Sequence, residues 1–217
     1  MLFRSIVLTA NHDWEFLYVK SETDSVWLPA SADLNIYSSL LKNEIIGDPY
    51  YSSNADSLEW VQHREWKFRT HFSVSENVLN KKHLSLKFNG LDTYADVFLN
   101  GKKIFQADNY FCTWEADAKK NLQTENDLLI VFKSVEETSD SLRNPLPYTL
   151  PGSAYVFTRK PAFQFGWDFA PDLLPCGIWK PIELVYWENF NYTKFEILQN
   201  TINDSSALLT RSEEPHV

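Results

Sequence analysis

A two-residue alternation of apolar and polar side chains recurs along most of this chain and is fixed at one point by the dipeptide Asn100-Gly101. Leu84, Leu86 and Phe88 alternate with Ser85, Lys87 and Asn89, and Trp66, Phe68, Thr70 and Phe72 alternate with Lys67, Arg69 and His71. Successive side chains of an extended chain point to opposite faces, so each pattern lays one apolar row along one side of a strand. Between Asp96-Val97-Phe98-Leu99 and Lys102-Lys103-Ile104-Phe105, Asn100-Gly101 supplies two residues that tolerate positive φ and closes a two-residue hairpin. The same reading predicts strands at Trp14 to Val19, Leu128 to Phe132 and Ile182 to Trp187. Helical spacing is convincing only from Ile36 to Leu41, where Ile36, Leu40 and Leu41 share a face. The expected fold class is all-β. Many short strands separated by polar turns give a sandwich or jelly roll, in which two sheets bury each other's apolar faces.

Size permits one sizeable core, since a chain of 217 residues buries roughly 70% of its unfolded surface. From Glu136 to Ser153 the alternation dissolves into Thr, Ser, Asn and Pro, and Pro145, Pro147 and Pro151 cannot donate to a ladder, so a long loop is expected. Composition changes again after Trp187, where Asn189, Asn191 and Tyr192 interrupt before Phe195-Glu196-Ile197-Leu198 resumes. This divides the chain into a main domain, residues 1–188, and a linker leading into an unfinished second unit, residues 189–217. The tail from Ser205 is expected to fray, having no core to pack on.

Charge and motif content exclude several classes of function. The formal net charge is −9 and no Lys/Arg run forms a compensating patch, which argues against nucleic-acid and membrane-surface partners. The N-terminal apolar run stops at Asn11 and lacks a small-residue cleavage signal, so no signal peptide is expected. Cys112 and Cys176 are read as two buried thiols rather than a disulfide framework. His12, His63, His71, His83 and His216 share no metal-ligand spacing, so no metal and no cofactor is expected. Gly-x-Ser-x-Gly, a glycine-rich phosphate loop and His-Glu-x-x-His are all missing from the sequence.

What remains is a dense stretch from Arg159-Lys160, through Phe163, Phe165, Trp167-Asp168 and Phe169, to Trp179-Lys180. Cations, a carboxylate and aromatic rings in one place are the mixture that holds a polar, uncharged ring such as a sugar. The Trp167 indole offers a wide apolar face for a pyranose, and Asp168 can accept two hydroxyl hydrogen bonds. Equally, Trp167 can be a core ring and Asp168 a turn cap before Pro171. Arg159 and Lys160 can fix a carboxylate, either Asp168 or one supplied from elsewhere, or form an ordinary solvated pair. Alternation puts the two on opposite sides of an extended segment, so at most one is expected to face a site.

In order along the chain, Trp27-Leu28-Pro29-Ala30, Ile46-Gly47-Asp48-Pro49-Tyr50, Trp60-Val61, Trp66, Gly90-Leu91-Asp92-Thr93, Asn100-Gly101, Asn109, Arg159-Lys160, Gly166-Trp167-Asp168, Pro171 and Gly177-Ile178-Trp179-Lys180 resemble the N-terminal domain of beta-mannosidases in glycoside hydrolase family 2. The resemblance covers about residues 14–187. It implies a jelly-roll, galactose-binding-domain-like sandwich, followed by the start of an immunoglobulin-like β-sandwich domain in residues 189–217. It further implies that Trp167 and Asp168, with Arg159 and Lys160 in support, contact the terminal mannose of a beta-mannoside oligosaccharide. The partner would be a TIM-barrel catalytic domain whose two glutamates perform retaining hydrolysis. That barrel needs roughly 250 residues and is not contained in this sequence, so no catalytic residue is assigned here. Two departures stand out: Ala32-Asp33-Leu34 replaces a Val-Pro-Gly turn, and Phe169-Ala170 replaces Trp-Gly. The expected function is thus the sugar-contacting domain of a beta-mannosidase-like exo-glycosidase, itself inactive. The alternatives are a free-standing carbohydrate-binding module and the matching domain of a beta-galactosidase or beta-glucuronidase relative.

Overall fold

A computed structural model of the chain describes residues 4–148, 150, 151, 154–166, 168, 170–189 and 191–216. In chain order the elements are β1 (Arg4–Val7), α1 (Leu8–Asn11), β2 (Trp14–Ser21), β3 (Asp24–Pro29), α2 (Ile36–Lys42), β4 (Trp66–Ser73), α3 (Glu76–Leu79), β5 (His83–Phe88), β6 (Leu91–Asp92), β7 (Ala95–Leu99), β8 (Lys102–Ala107), β9 (Trp114–Asp117), β10 (Glu125–Phe132), α4 (Val135–Arg143), β11 (Gly177–Ile178), β12 (Ile182–Trp187), β13 (Asn191–Ile202) and β14 (Ala207–His216). Six strands form one antiparallel sheet in the order β3-β2-β4-β10-β7-β8, and four form a second in the order β1-β12-β5-β9. Together they make the expected β-sandwich.

The alternation explains which face of each strand is inside. Along β4, Trp66, Phe68, Thr70 and Phe72 are buried, and Ile130, directly opposite Phe68, belongs to the same inner face of β10. From the other sheet, Leu84, Leu86 and Phe88 of β5 and Ile182 and Leu184 of β12 complete the core. Phe68 and Phe132 meet edge to face at 5.8 Å, and Phe16 lies 6.3 Å from both Phe68 and Trp66. Each such side chain contributes roughly 1.5–3 kcal/mol of transfer free energy when fully buried. At the β7–β8 turn, Asn100 has φ 51° and Gly101 φ 76°, the two positive values a primed turn requires.

Three expectations change. The stretch from Glu136 is not wholly loop, because α4 occupies its first part. Ser134 caps that helix, accepting from the Glu137 N–H at 3.2 Å, with Glu136 and Glu137 in the first turn and Arg143 in the last. The residues beyond Ser205 are not frayed either, since β14 pairs with β13 in an antiparallel hairpin. Finally, Cys176 is buried but Cys112 is exposed. Glutamate and serine read as polar loop in a residue-by-residue scan, although the Ser-x-x-Glu spacing of Ser134 and Glu137 is a capping signal.

The turn at Ala32-Asp33-Leu34 is organised around Asp33. Its carboxylate accepts from the hydroxyls of Ser31 and Ser38, while Leu34 takes φ 51° with its side chain buried. The Leu34 carbonyl then accepts from Ile178 N–H at 3.2 Å, and the Ile36 N–H donates to the Cys176 carbonyl at 3.0 Å. Contact here is so close that a Cβ on Gly177 would lie 2.1 Å from the Leu34 carbonyl oxygen. Replacing Gly177 with alanine must therefore move backbone, and Gly177→Ala is expected to cost about 1–3 kcal/mol or more. A urea denaturation midpoint unchanged from the parent chain would contradict that packing. Ser134→Ala, which removes only the α4 cap, should cost about 1 kcal/mol by the same measurement.

Candidate functional site

Lys160 is the origin of the candidate site, because its ammonium group is fully buried and must be neutralised. The carboxylate it finds is Asp92, 68 positions away, which is itself almost fully buried. Lys160 Nζ also donates to the Pro175 carbonyl at 2.7 Å. The Asp92 carboxylate accepts further hydrogen bonds from Thr93 Oγ1 at 2.6 Å and Gln164 Nε2 at 3.3 Å. Burial pulls the Lys160 ammonium down from its ordinary pKa, and the adjacent Asp92 charge opposes that pull. This arrangement ties the 158–166 segment to β6, and β6 in turn pairs with β11, Leu91 against Ile178 and Asp92 against Gly177.

Arg159 takes the opposite side of the segment and is exposed, as the alternation argument requires. Its carbonyl accepts from the Tyr110 N–H at 2.9 Å, and it forms a parallel bridge with Asn109. Asn109 shapes that loop by accepting from the Phe111 N–H at 2.9 Å. The loop delivers Tyr110 onto Trp179: the two rings stack at 4.2 Å with an interplanar angle of 8°. Trp179 is seated on Gly90, where a Cβ would meet the indole at 2.5 Å, and the Lys180 ammonium sits 4.2 Å over the ring. Tyr110 holds its phenol above the ordinary pKa through burial, with the Asp92 charge adding to it. Phe111 packs edge to face on Tyr110 at 5.2 Å and remains 66% exposed, and Phe163 is 65% exposed. An apolar surface of this kind, directly above a buried ion pair, offers ring faces for stacking.

Beyond Gly166, Asp168 is exposed in a turn, whereas Trp167 and Phe169 lie outside the described residues. Asp172 approaches Gly166, and burial together with the Glu59 charge raises its carboxyl above the usual range. Glu136 is raised chiefly by burial as well, against the opposing effect of His63, whose Nδ1 lies 3.0 Å from its carboxylate. The Tyr37 phenol is raised by burial, then by Cys176 and Asp172. Tyr94 Oη donates to the Phe157 carbonyl at 3.1 Å, and Ser139 Oγ lies 2.8 Å from Thr158 Oγ1, which fastens α4 to the segment leading into Arg159.

Of the four candidates, Arg159 and Asp168 are solvent-accessible and Lys160 is committed to Asp92 rather than to Asp168. Sequence reasoning missed Asp92 as the partner of Lys160, and it missed Tyr110 as the partner of Trp179. Neither pairing has a local signal. Asp92 sits in a two-residue strand within Gly90-Leu91-Asp92-Thr93, and only the three-dimensional chain path brings that strand beneath Lys160.

Comparison with known proteins places the chain in a family. Residues 14–180 match the family described as Glycosyl hydrolase 2 galactose-binding domain-like. Beta-mannosidase B of Thermothelomyces thermophilus is 31% identical over 191 residues, covering 85% of this chain and 22% of the relative. Beta-mannosidase of Mus musculus is 28% identical over 191 residues, covering 83% of this chain and 21% of the relative. The chain thus spans about a fifth of the length of these relatives. The crystal structure of beta-D-mannosidase from Dictyoglomus thermophilum superposes with a TM-score of 0.90 at 29% identity, across 99% of this chain and 26% of that one. A beta-glucuronidase from an uncultured Clostridium shares the fold at a TM-score of 0.60 and 18% identity, covering 99% of this chain and 34% of that chain. With more than half of its residues matched in order, the chain belongs to the galactose-binding-like domain family of glycosyl hydrolases 2.

Proposed function

We propose that this chain is the N-terminal, sugar-contacting domain of a beta-mannosidase-like retaining exo-glycosidase. The observation that carries this reading is the near-complete superposition on the Dictyoglomus thermophilum beta-D-mannosidase, with a TM-score of 0.90. In this proposal Trp167 stacks on the terminal mannose ring and Asp168 accepts hydrogen bonds from its hydroxyls. The exposed position of Asp168 supports that role, since an acid in a solvent-facing turn is free to meet a sugar. Arg159, exposed beside the Tyr110–Trp179 stack, adds a cation at the rim. Lys160 acts at one remove, holding the loop through Asp92 rather than touching sugar. Two glutamates on a barrel outside this sequence perform the double displacement, about 5 Å apart as retention requires. Residues 189–217, which contain the β13–β14 hairpin, are read as the opening of an immunoglobulin-like domain between the two.

The protein joined to its barrel should hydrolyse p-nitrophenyl β-mannoside in preference to the β-galactoside and β-glucuronide, and the 217-residue chain alone should hydrolyse none. In the joined protein Asp168→Asn is expected to lower kcat/KM roughly 10- to 100-fold, the range for a charge-assisted hydrogen bond of about 1.5–3 kcal/mol. Turnover by the isolated chain, or an Asp168→Asn enzyme of full efficiency, would overturn the assignment. The positioning role of Lys160 has a separate readout. Lys160→Met leaves Asp92 as an uncompensated buried charge and should cost about 3–5 kcal/mol in chemical denaturation, while Lys160→Met combined with Asp92→Leu should recover most of the loss. Equal stabilities of parent and single variant would show that the ammonium is not held in the interior.

A further inference from the structure

On the solvent face of the six-stranded sheet, far in sequence from the 159–180 loop, the alternation that governs the core fails. Such a face normally carries polar side chains. Here the register lines up Glu15, Arg69, Leu129 and Phe98 across β2, β4, β10 and β7, each directly opposite the next. Trp27, from β3, lies over the Arg69 guanidinium with its ring centroid 4.0 Å away, and Arg69 Nε donates to Glu15 at 2.8 Å. One position further along, His71 pairs with Asp127. Trp27, Arg69, His71, Phe98, Asp127 and Leu129 line a groove of about 320 Å³ that also touches Gly101 of the β7–β8 turn.

We propose that this groove is a second carbohydrate-binding site, taking a neutral pyranose unit of a glycan. Its floor, Leu129 and Phe98, is apolar and half-buried, which suits the C–H face of a sugar ring. Its rim supplies both kinds of polar partner. Among the described residues Arg69 donates to Glu15 through Nε, leaving its terminal N–H groups to donate to hydroxyls, and Asp127, whose Oδ1 pairs with His71, can accept through its other oxygen. The charge balance selects against an anion: the guanidinium is already compensated by Glu15, and Asp127 faces the groove. The volume of about 320 Å³ lies at the small end of ligand sites, about 300–1,000 Å³, which suits a single small ring. The inference goes beyond the proposed loop site, shares no residue with it, and can stand or fall separately.

Titration of the 217-residue chain with β-1,4-mannotriose by calorimetry tests it. Binding is expected in the millimolar range, about 1 mM. Phe98→Ala and Arg69→Gln should each weaken it about five- to tenfold, whereas Lys87→Ala, on the other sheet, should leave it unchanged. Arg69 is partly exposed, so Arg69→Gln keeps the test decisive even where Phe98→Ala lowers the thermal midpoint. Failure to bind mannotriose at about 10 mM would overturn the site. So would binding that Trp167→Ala abolishes while both groove variants retain it. In that second case the loop site survives and only the groove is lost. Tighter binding of glucuronate than of mannotriose would also overturn the proposal, because it would contradict the charge argument.

Discussion

A fully buried ammonium group is tolerable only beside a carboxylate, and the Lys160–Asp92 contact therefore dictates much of what surrounds it. Asp92 is presented by a strand of two residues, so β6 has to be held by β11, and β11 has to approach the turn at Leu34 closely enough that only glycine fits at position 177. The carboxylate is saturated by Thr93, Lys160 and Gln164, which brings two separate stretches of backbone, 92–93 and 160–164, around one charge. Exposed above this fastening, Arg159, Phe111, Phe163 and Trp179 keep solvent-facing positions without contributing to the main core.

How much of this could be read from the sequence depended on the range of the interaction. The strands were legible because period-2 patterning is local: Ile182 to Trp187 is reproduced to the residue, and the strand expected from Leu128 is longer only at its N-terminal side. The Asn100-Gly101 turn was legible for the same reason. Helix α4 escaped notice because polar residues and three nearby prolines outweighed the Ser134–Glu137 spacing, and its inward-facing Ser139 is polar, so no apolar stripe marked it. In the candidate site, the opposite facing of Arg159 and Lys160 followed from strand geometry alone. The identity of the buried partner, Asp92, did not, because nothing in a linear reading favours one acid among the chain's 29 acidic residues.

The turn at Ala32-Asp33-Leu34 shows how a strained backbone residue can be accommodated. A left-handed residue is uncommon outside glycine, and for leucine it costs on the order of 1–2 kcal/mol. Leu34 adopts φ 51° all the same, and it buries its side chain in the core while Asp33 collects the serine hydroxyls on either side. Side-chain burial and the Asp33 network offset the backbone cost. The turn so formed holds the Leu34 carbonyl against Gly177 and the Ile178 N–H.

The two thiols differ in a way that matters for watching this domain at work. Cys176 is buried, with its pKa pushed upward by burial and by Asp92, so it resists alkylation in the folded chain. Cys112 is exposed immediately after Tyr110 and Phe111, at the edge of the aromatic surface. A maleimide dye would therefore attach at a single place, next to the exposed rings, and would report changes in their surroundings without any engineered residue.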